Sequence, residues 1–208
     1  MAAKVTGSDD GAPLRPDDGF GRGGGPDQAA HRALVITVSD GVAAGIREDL
    51  SGKALADRLG ELGFRVERSV VPDERARIEH LLAARAEDHV LILTTGGTGL
   101  TPRDVTPQAT RAVVEYEVPG LPELMRAEGA RSTPYAYLSR SVAGVAKRCL
   151  IVNLPGSPRG ALDSLAALEP VLGHALETLA GPFDHDPGGA AGRTGSEAAA
   201  GPTNTTHS

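Results

Sequence analysis

Tryptophan is absent from this chain, phenylalanine and tyrosine occur three times each, and there is one cysteine among 208 residues. A core must therefore be assembled from Leu, Val, Ile and Ala. A single cysteine, Cys149, forms no internal disulfide, which fits a reducing, cytoplasmic setting. It stands in an apolar run and reads as a small core residue rather than a nucleophile. No run of 18 apolar residues exists, so no membrane span is expected. The N-terminus lacks a basic region followed by an apolar one, so no signal peptide is read. The six histidines are scattered without a pair at metal-ligand spacing, and a zinc site is not expected. An excess of basic charge is lacking too. Net charge is −6; residues 1–30 carry three basic and five acidic side chains and residues 181–208 one and three, leaving 17 and 19 for residues 31–180. A folded region so near neutrality gives a nucleic-acid partner no electrostatic support.

Both ends are nearly free of large apolar side chains. Residues 1–31 and 182–208 are rich in Gly, Asp, Ala and Pro. They cannot bury enough surface to offset the entropy of ordering, and are expected to be disordered tails. One domain over residues 32–181 remains.

That domain alternates apolar runs with helical patterns. Ala33 to Val38 reads as a central strand, ending at Ser39-Asp40-Gly41, a polar cluster that an Asx-type turn would also explain. Ser51 is placed to cap a helix carrying Leu55, Leu59 and Leu62 on one face, stopped by Gly63. Phe64 to Val71 reads as the second strand. Pro72-Asp73-Glu74 opens a helix with Ile78, Leu81 and Leu82 inward, and Asp73 has an ordinary explanation as its N-cap. Val90 to Leu93 is the third strand. Thr106-Pro107 has the form of an N-cap and first helical position, before a helix with Ala109, Val113 and Val114 inward. Val118 to Pro122 is a break, with a short helix beginning at Leu124-Met125 and ending at Thr133-Pro134. Leu138 to Ser141 leads to a short strand, Val142 to Val145, and Lys147-Arg148 turns the chain into the strand Cys149 to Leu154. Ser157-Pro158 starts a last helix, with leucines from Leu162 to Leu179 and a kink or division at Pro170. This alternation implies an α/β fold of three layers, a mostly parallel sheet with helices on both faces.

The domain is organised around Leu93-Thr94-Thr95-Gly96-Gly97-Thr98-Gly99-Leu100-Thr101-Pro102-Arg103-Asp104-Val105-Thr106-Pro107. Glycines here let backbone N–H groups converge on an anion, and the hydroxyls of Thr94, Thr95 and Thr98 add donors. A carboxylate at Asp104, beside such a turn, suits magnesium, which prefers carboxylate and phosphate oxygens. The stretch is neither a Walker A loop nor a dinucleotide fingerprint. A plain tight connection would account for the glycines but needs neither Arg103 nor Asp104. In a parallel sheet the turns at Ser39-Asp40, Asp73, Thr94 to Asp104 and Pro155 to Ser157 share the edge where open α/β sheets bind ligands.

Seven stretches in order, Val38-Ser39-Asp40, Val71-Pro72-Asp73-Glu74, Thr95 to Gly99, Arg103 to Pro107, Pro119-Gly120, Leu138-Ser139-Arg140 and Asn153 to Pro158, resemble the MogA/MoaB family of molybdenum-cofactor biosynthesis proteins, related to the G domains of the Cnx and gephyrin proteins. The resemblance spans Arg32 to Gly181. It implies a molybdopterin-binding, MogA-like fold that assembles as a homotrimer. It implies transfer of AMP from ATP to the phosphate of molybdopterin, with Mg2+ and release of pyrophosphate, and delivery of the product to a molybdenum-insertion protein. By the same resemblance Asp73 and Asp104 are the catalytic, metal-binding acids. Ser39 and Asp40 fall to the nucleotide, Ser139, Arg140 and Ser157 to the pterin and its phosphate, and Thr95, Gly96, Gly97, Thr98, Gly99, Pro155 and Gly156 to substrate binding. A surface ion pair is the other reading of Arg140. Two departures stand out: Leu-Thr-Pro follows Gly99, and Ser157 occupies a position where other members carry a different residue. A non-catalytic pterin carrier of the MoaB kind is the alternative function, and the two intact acids count against it. A general nucleotide-binding regulator is weaker still, for want of any nucleotide motif.

Overall fold

Period-two burial sets the layers. In strand β1 (Arg32–Val38), Ala33 and Val35 belong to one apolar cluster while Leu34, Ile36 and Val38 belong to the other. Strands β3 (Leu91–Thr95) and β6 (Cys149–Leu154) split the same way, with Leu93 and Val152 on one side and Ile92 and Ile151 on the other. Residues 33–36, 91–93 and 149–152 are apolar and buried on both faces, as a central parallel sheet requires. The computed structural model describes residues 31–181; apart from His31, the segments expected to be disordered, residues 1–31 and 182–208, lie outside the described residues.

The six-stranded sheet has the order β2-β1-β3-β6-β5-β4, with β2 (Arg65–Val71), β1, β3 and β6 parallel. Strands β5 (Ala143–Ala146) and β4 (Tyr116–Glu117) run antiparallel to their neighbours β6 and β5. Helices α2 (Leu50–Glu61), α5 (Gly120–Ala130) and α6 (Pro158–Ala180) cover one face through Leu55, Leu59, Met125, Leu165 and Leu168. Helices α3 (Arg75–Arg85) and α4 (Thr106–Val113) cover the other through Ile78, Leu82 and Ala109. The expected three-layer α/β architecture is thus the observed one. Because β1 leads outward to β2 while β3 leads the opposite way, the strand order reverses between β1 and β3. A crevice opens at such a reversal, at the carboxyl ends of the strands. Cys149 is fully buried, and desolvation pushes its thiol up to about 12, in keeping with a core residue. Among the described residues no helix is long and apolar enough to cross a membrane.

Several local expectations are corrected. The N-cap of α2 is Asp49, not Ser51: its carboxylate accepts from Gly52 N at 2.9 Å and from the Thr37 hydroxyl at 2.8 Å, while Ser51 is buried one residue into the helix. Ser39 caps a short helix, α1 (Asp40–Ala43), instead of an isolated Asx turn. Helix α5 begins at Gly120, four residues earlier than expected, and accommodates Pro122 in its first turn, where no intrahelical donor is needed. The chain between Pro134 and Leu138 forms a 3-10 turn capped by Thr133. Helix α6 is not divided at Pro170; Pro170 and Ala166 are both exposed, so the carbonyl that loses its helical donor faces water. The two-residue strand β4, too short for any periodicity, had no signal in the sequence.

Asn153 ties this edge of the sheet together from below. It is fully buried in β6. Its Nδ2 donates to the Thr94 hydroxyl of β3 at 3.0 Å and to the Thr110 hydroxyl of α4 at 2.8 Å, and its Oδ1 accepts from Val142 N at 3.3 Å. Replacing it with an apolar isostere strands these buried partners. Asn153→Leu is expected to lower stability by about 2–4 kcal/mol, read as a drop in the urea unfolding midpoint; an unchanged midpoint would deny the network a stabilising role.

Candidate active site

The loop after β3 is fixed by backbone approach. Gly96 has φ +105, and a Cβ there would stand 2.3 Å from the carbonyl oxygen of Val38, the last residue of β1. Gly97 has φ +62, and its Cβ would stand 2.3 Å from Thr106 Oγ1. Only glycine serves at such positions. A Cβ on Gly156, at the end of β6, would meet Gly96 Cα at 3.2 Å. Three strand ends therefore converge with almost nothing but main chain between them. Thr106 does not cap α4, since Val105 holds that position. The Thr106 hydroxyl donates instead to Gly96 O at 2.9 Å and its N–H to Gly97 O at 3.2 Å, closing the loop onto the helix.

Carboxylates flank the loop. Asp40, after β1, and Asp73, after β2, exchange backbone bonds: Asp40 N donates to Asp73 Oδ2 at 2.9 Å and Asp73 N donates to Asp40 Oδ1 at 3.0 Å. Asp73 is thus no helix cap; Glu74 precedes α3 and makes no capping bond. Arg103 pairs with the second oxygen of Asp40. A Cβ on Gly97 would lie 3.4 Å from Asp73 Oδ1, which makes none of these hydrogen bonds, so that oxygen faces the glycine loop. On the other side a Cβ at Gly99 would lie 3.0 Å from Asp104 Oδ2. The same Asp104 oxygen accepts from Thr101 N at 2.8 Å and from the Thr101 hydroxyl at 2.6 Å. Burial alone would raise the Asp104 pKa, but these bonds, the Gly99 amide and the Arg140 charge outweigh it and hold the carboxyl below its ordinary range.

Beyond Gly99 lies a cavity of about 620 Å³, within the range of small-molecule sites. Thr98, Gly99 and Leu100 form one wall, α5 and the 3-10 turn another, and the start of α6 a third. Of the residues expected to bind substrate, Thr98, Gly99, Ser139, Pro155 and Ser157 line this cavity. Ser157 caps α6 as expected, accepting from Gly160 N at 3.2 Å, while Gly156 packs on Gly96.

Two of the expected site residues are engaged within the protein. Arg140 is not among the residues lining the cavity and forms no ion pair among the described residues. Its Nε donates to Gly99 O at 2.6 Å, its Nη2 to Asp104 O, and its backbone N–H to Thr98 O at 3.0 Å, so it clamps the loop. Thr95 is buried and its hydroxyl donates to Pro155 O at 2.7 Å, joining β3 to β6. Thr94 is likewise taken up by Asn153. Of the three threonine hydroxyls only that of Thr98 stands at the cavity wall. Sequence reasoning missed Arg126, Arg159 and Asp163, which all line the cavity. Starting α5 at Gly120 would have revealed Arg126, because Met125 and Gly129 at i, i+4 then define a face beside it.

Asp104 gives a pH signature. With its folded-state pKa below the ordinary 3.8, its charge contributes stability that is fully present above that value and lost as pH falls through the lower, folded-state value. The stability difference between the native chain and Asp104→Asn is expected to be constant at neutral pH and to shrink below about pH 4, as read from urea midpoints across the acid range. A difference that is flat to the acid limit would contradict the assignment.

Residues 34–174 match the family described as "Probable molybdopterin binding domain". A molybdopterin adenylyltransferase from Helicobacter pylori strain J99 is 39% identical over 156 residues, covering 72% of this chain and 88% of the relative. The molybdopterin adenylyltransferase of Escherichia coli K12 is 37% identical over 150 residues, covering 70% and 77%. Among solved structures, the molybdopterin biosynthesis enzyme MoaB from Thermus thermophilus has a TM-score of 0.69 at 50% identity, covering 74% of this chain and 99% of that one. The Mog protein of Mycobacterium ulcerans has a TM-score of 0.69 at 40% identity, covering 72% and 99%. A glycine loop at the β1/β3 reversal, the acids on either side of it and this span of similarity give one conclusion: the chain belongs to the molybdopterin-binding family that includes the MogA and MoaB proteins.

Proposed function

We infer that this chain is a molybdopterin adenylyltransferase, joining the AMP moiety of ATP to the phosphate of molybdopterin. The observation that carries the reading is the two-sided loop: Asp40 and Asp73 stand on one side of Gly96 to Gly99, and the cavity opens on the other. Relatives at 37–39% identity named for this activity favour it over a non-catalytic carrier.

A terminal phosphate oxygen of the pterin attacks the α-phosphorus of ATP, the bond to the β-phosphate oxygen breaks, and pyrophosphate leaves. The nucleophile is already anionic, so no residue need remove a proton or form a covalent intermediate. What the protein must supply is alignment and relief of repulsion between two polyanions. The nucleotide belongs on the Ser39, Asp40 and Asp73 side, against the amides of Gly96 to Gly99. The pterin belongs in the cavity, its phosphate directed at Thr98 and Gly99. Arg140 contributes by holding that loop in register.

Among the described residues, no group of three or more His, Cys, Asp or Glu side chains could hold a metal ion. The donor set nonetheless suits magnesium, which binds through one or two carboxylates completed by substrate phosphates. Asp73 is the better placed ligand because its Oδ1 accepts no hydrogen bond among the described residues, whereas Asp104 already accepts bonds from Thr101 and Gly99. Such an ion would offset phosphate charge in the transition state. A homotrimer in the cytoplasm, passing its product to a molybdenum-insertion protein, completes the proposal.

Incubation with ATP, molybdopterin and Mg2+ is expected to release pyrophosphate and form the adenylylated pterin. Asp73→Asn and Asp104→Asn should each cut the rate by roughly 10²-fold or more while far-UV circular dichroism stays native. Full activity in both variants would remove the acids from the mechanism, and pterin binding without product would return the carrier reading. Sedimentation equilibrium should give three times the 21.3 kDa chain mass; a monomer would refute the trimer.

A further inference from the structure

The cavity wall carries three charged side chains, Arg126, Arg159 and Asp163, and its other polar groups are mostly hydroxyls. Hydroxyls rotate and serve as donor or acceptor, so they discriminate little, whereas guanidinium groups only donate. Asp163 is the single acceptor-only side chain among the lining residues. Its partner is Arg159, at 3.7 Å, and both are substantially exposed, so this contact is loose and easily exchanged. Arg126 lies toward the loop, its Nη1 3.4 Å from Ser139 O, and makes no ion pair among the described residues.

Molybdopterin is chemically bipolar. One end is a phosphate. The other is a 2-amino-4-oxopyrimidine ring whose edge presents two adjacent donors, N3–H and the 2-amino group. A pair of parallel donors matches the two oxygens of a carboxylate. On the reading above, the phosphate sits at Thr98 and Gly99. The start of α6 lies beside that loop through Gly156, and Asp163 is five residues beyond Pro158, or about 7.5 Å along the helix axis. The acid therefore stands away from the phosphate end, where the ring would fall.

We propose that Asp163 is the specificity residue for the pterin ring, its carboxylate accepting N3–H and the 2-amino group together while Arg159 swings to solvent. This rests on the assignment of the cavity to molybdopterin. Serine and arginine elsewhere on the wall hold the ligand; Asp163 distinguishes a pterin from a ring that carries an oxygen in place of the amino group.

The test measures binding, so it does not depend on turnover. Pterin-6-carboxylate and lumazine-6-carboxylate, which differ by that replacement, are titrated against the full chain by their own fluorescence, with no tryptophan in the protein to interfere. The native chain should prefer the pterin by roughly tenfold or more. Asp163→Asn should bring the ratio close to one, since an amide turns one acceptor into a donor, and Asp163→Glu should keep the preference. In turnover assays Asp163→Asn should raise the KM for molybdopterin and leave that for ATP in place. A preference that survives in Asp163→Asn, or a native chain that binds both rings equally, overturns the role of Asp163. A native chain that binds neither ring and makes no adenylylated product overturns the molybdopterin reading, and the proposal with it.

Discussion

Everything in the site depends on the contact between Gly96 and the carbonyl of Val38. It joins the ends of β1 and β3, the two strands between which the sheet reverses its order. No side chain fits there, because a Cβ would stand 2.3 Å from the oxygen. The loop that follows is consequently laid across the sheet edge instead of lifting away from it. That brings Gly97 against Asp73 and Gly99 against Asp104. Beneath, Asn153 holds β3, α4 and the entry to β5 through one buried amide. Above, Arg140 holds the loop by its own carbonyls. Buried or clamped polar groups of this kind contribute most when every partner is satisfied, and here they are.

Like charges stand close together at this edge, and the main chain is what tolerates it. Asp40 and Asp73 each accept the other's backbone N–H. Asp104 accepts from Thr101 and Gly99, which lowers its pKa in spite of burial. The Asp104 carboxylate is thereby held ionised by bonds already in place, so it need not reorganise to present its charge. Arg103 pairs with Asp40 and the Arg140 charge acts on Asp104, while Asp73 pairs with no cation among the described residues. A cation carried by the substrate phosphates fits that imbalance.

Much of this was legible in the residues. Alternation in β1, β3 and β6 is apolar on both faces, which is a sheet-level property and survives in the chain as an unbroken hydrophobic run. Gly63 and Ser157 are local stop and start signals and act where expected. The convergence of Asp40, Asp73 and the glycine loop followed from parallel topology alone. What failed was the role of side chains whose partners are distant in sequence. Thr95, Arg140 and Asn153 bind Pro155, Gly99 and Thr110, from 41 to 60 residues away. No periodicity records such a pairing. Asp49 displaced Ser51 as a cap for the same reason, since Thr37 and Arg68 select it from other elements. The cavity acid and arginines depended on placing α5 and α6 against each other, which the misplaced start of α5 obscured.

The glycine loop has a consequence for how the molecule records its history. The groups it would offer an anion under the proposed function are amides of the main chain, which every residue except proline possesses. A substitution at Gly96, Gly97 or Gly99 therefore deletes no side chain; it adds atoms where Val38, Thr106 and Asp104 already stand. Shortening side chains one at a time, the usual way to find the groups that bind a substrate, would pass over these three glycines, because they have nothing to shorten. What the three glycines contribute is space for the main chain to approach.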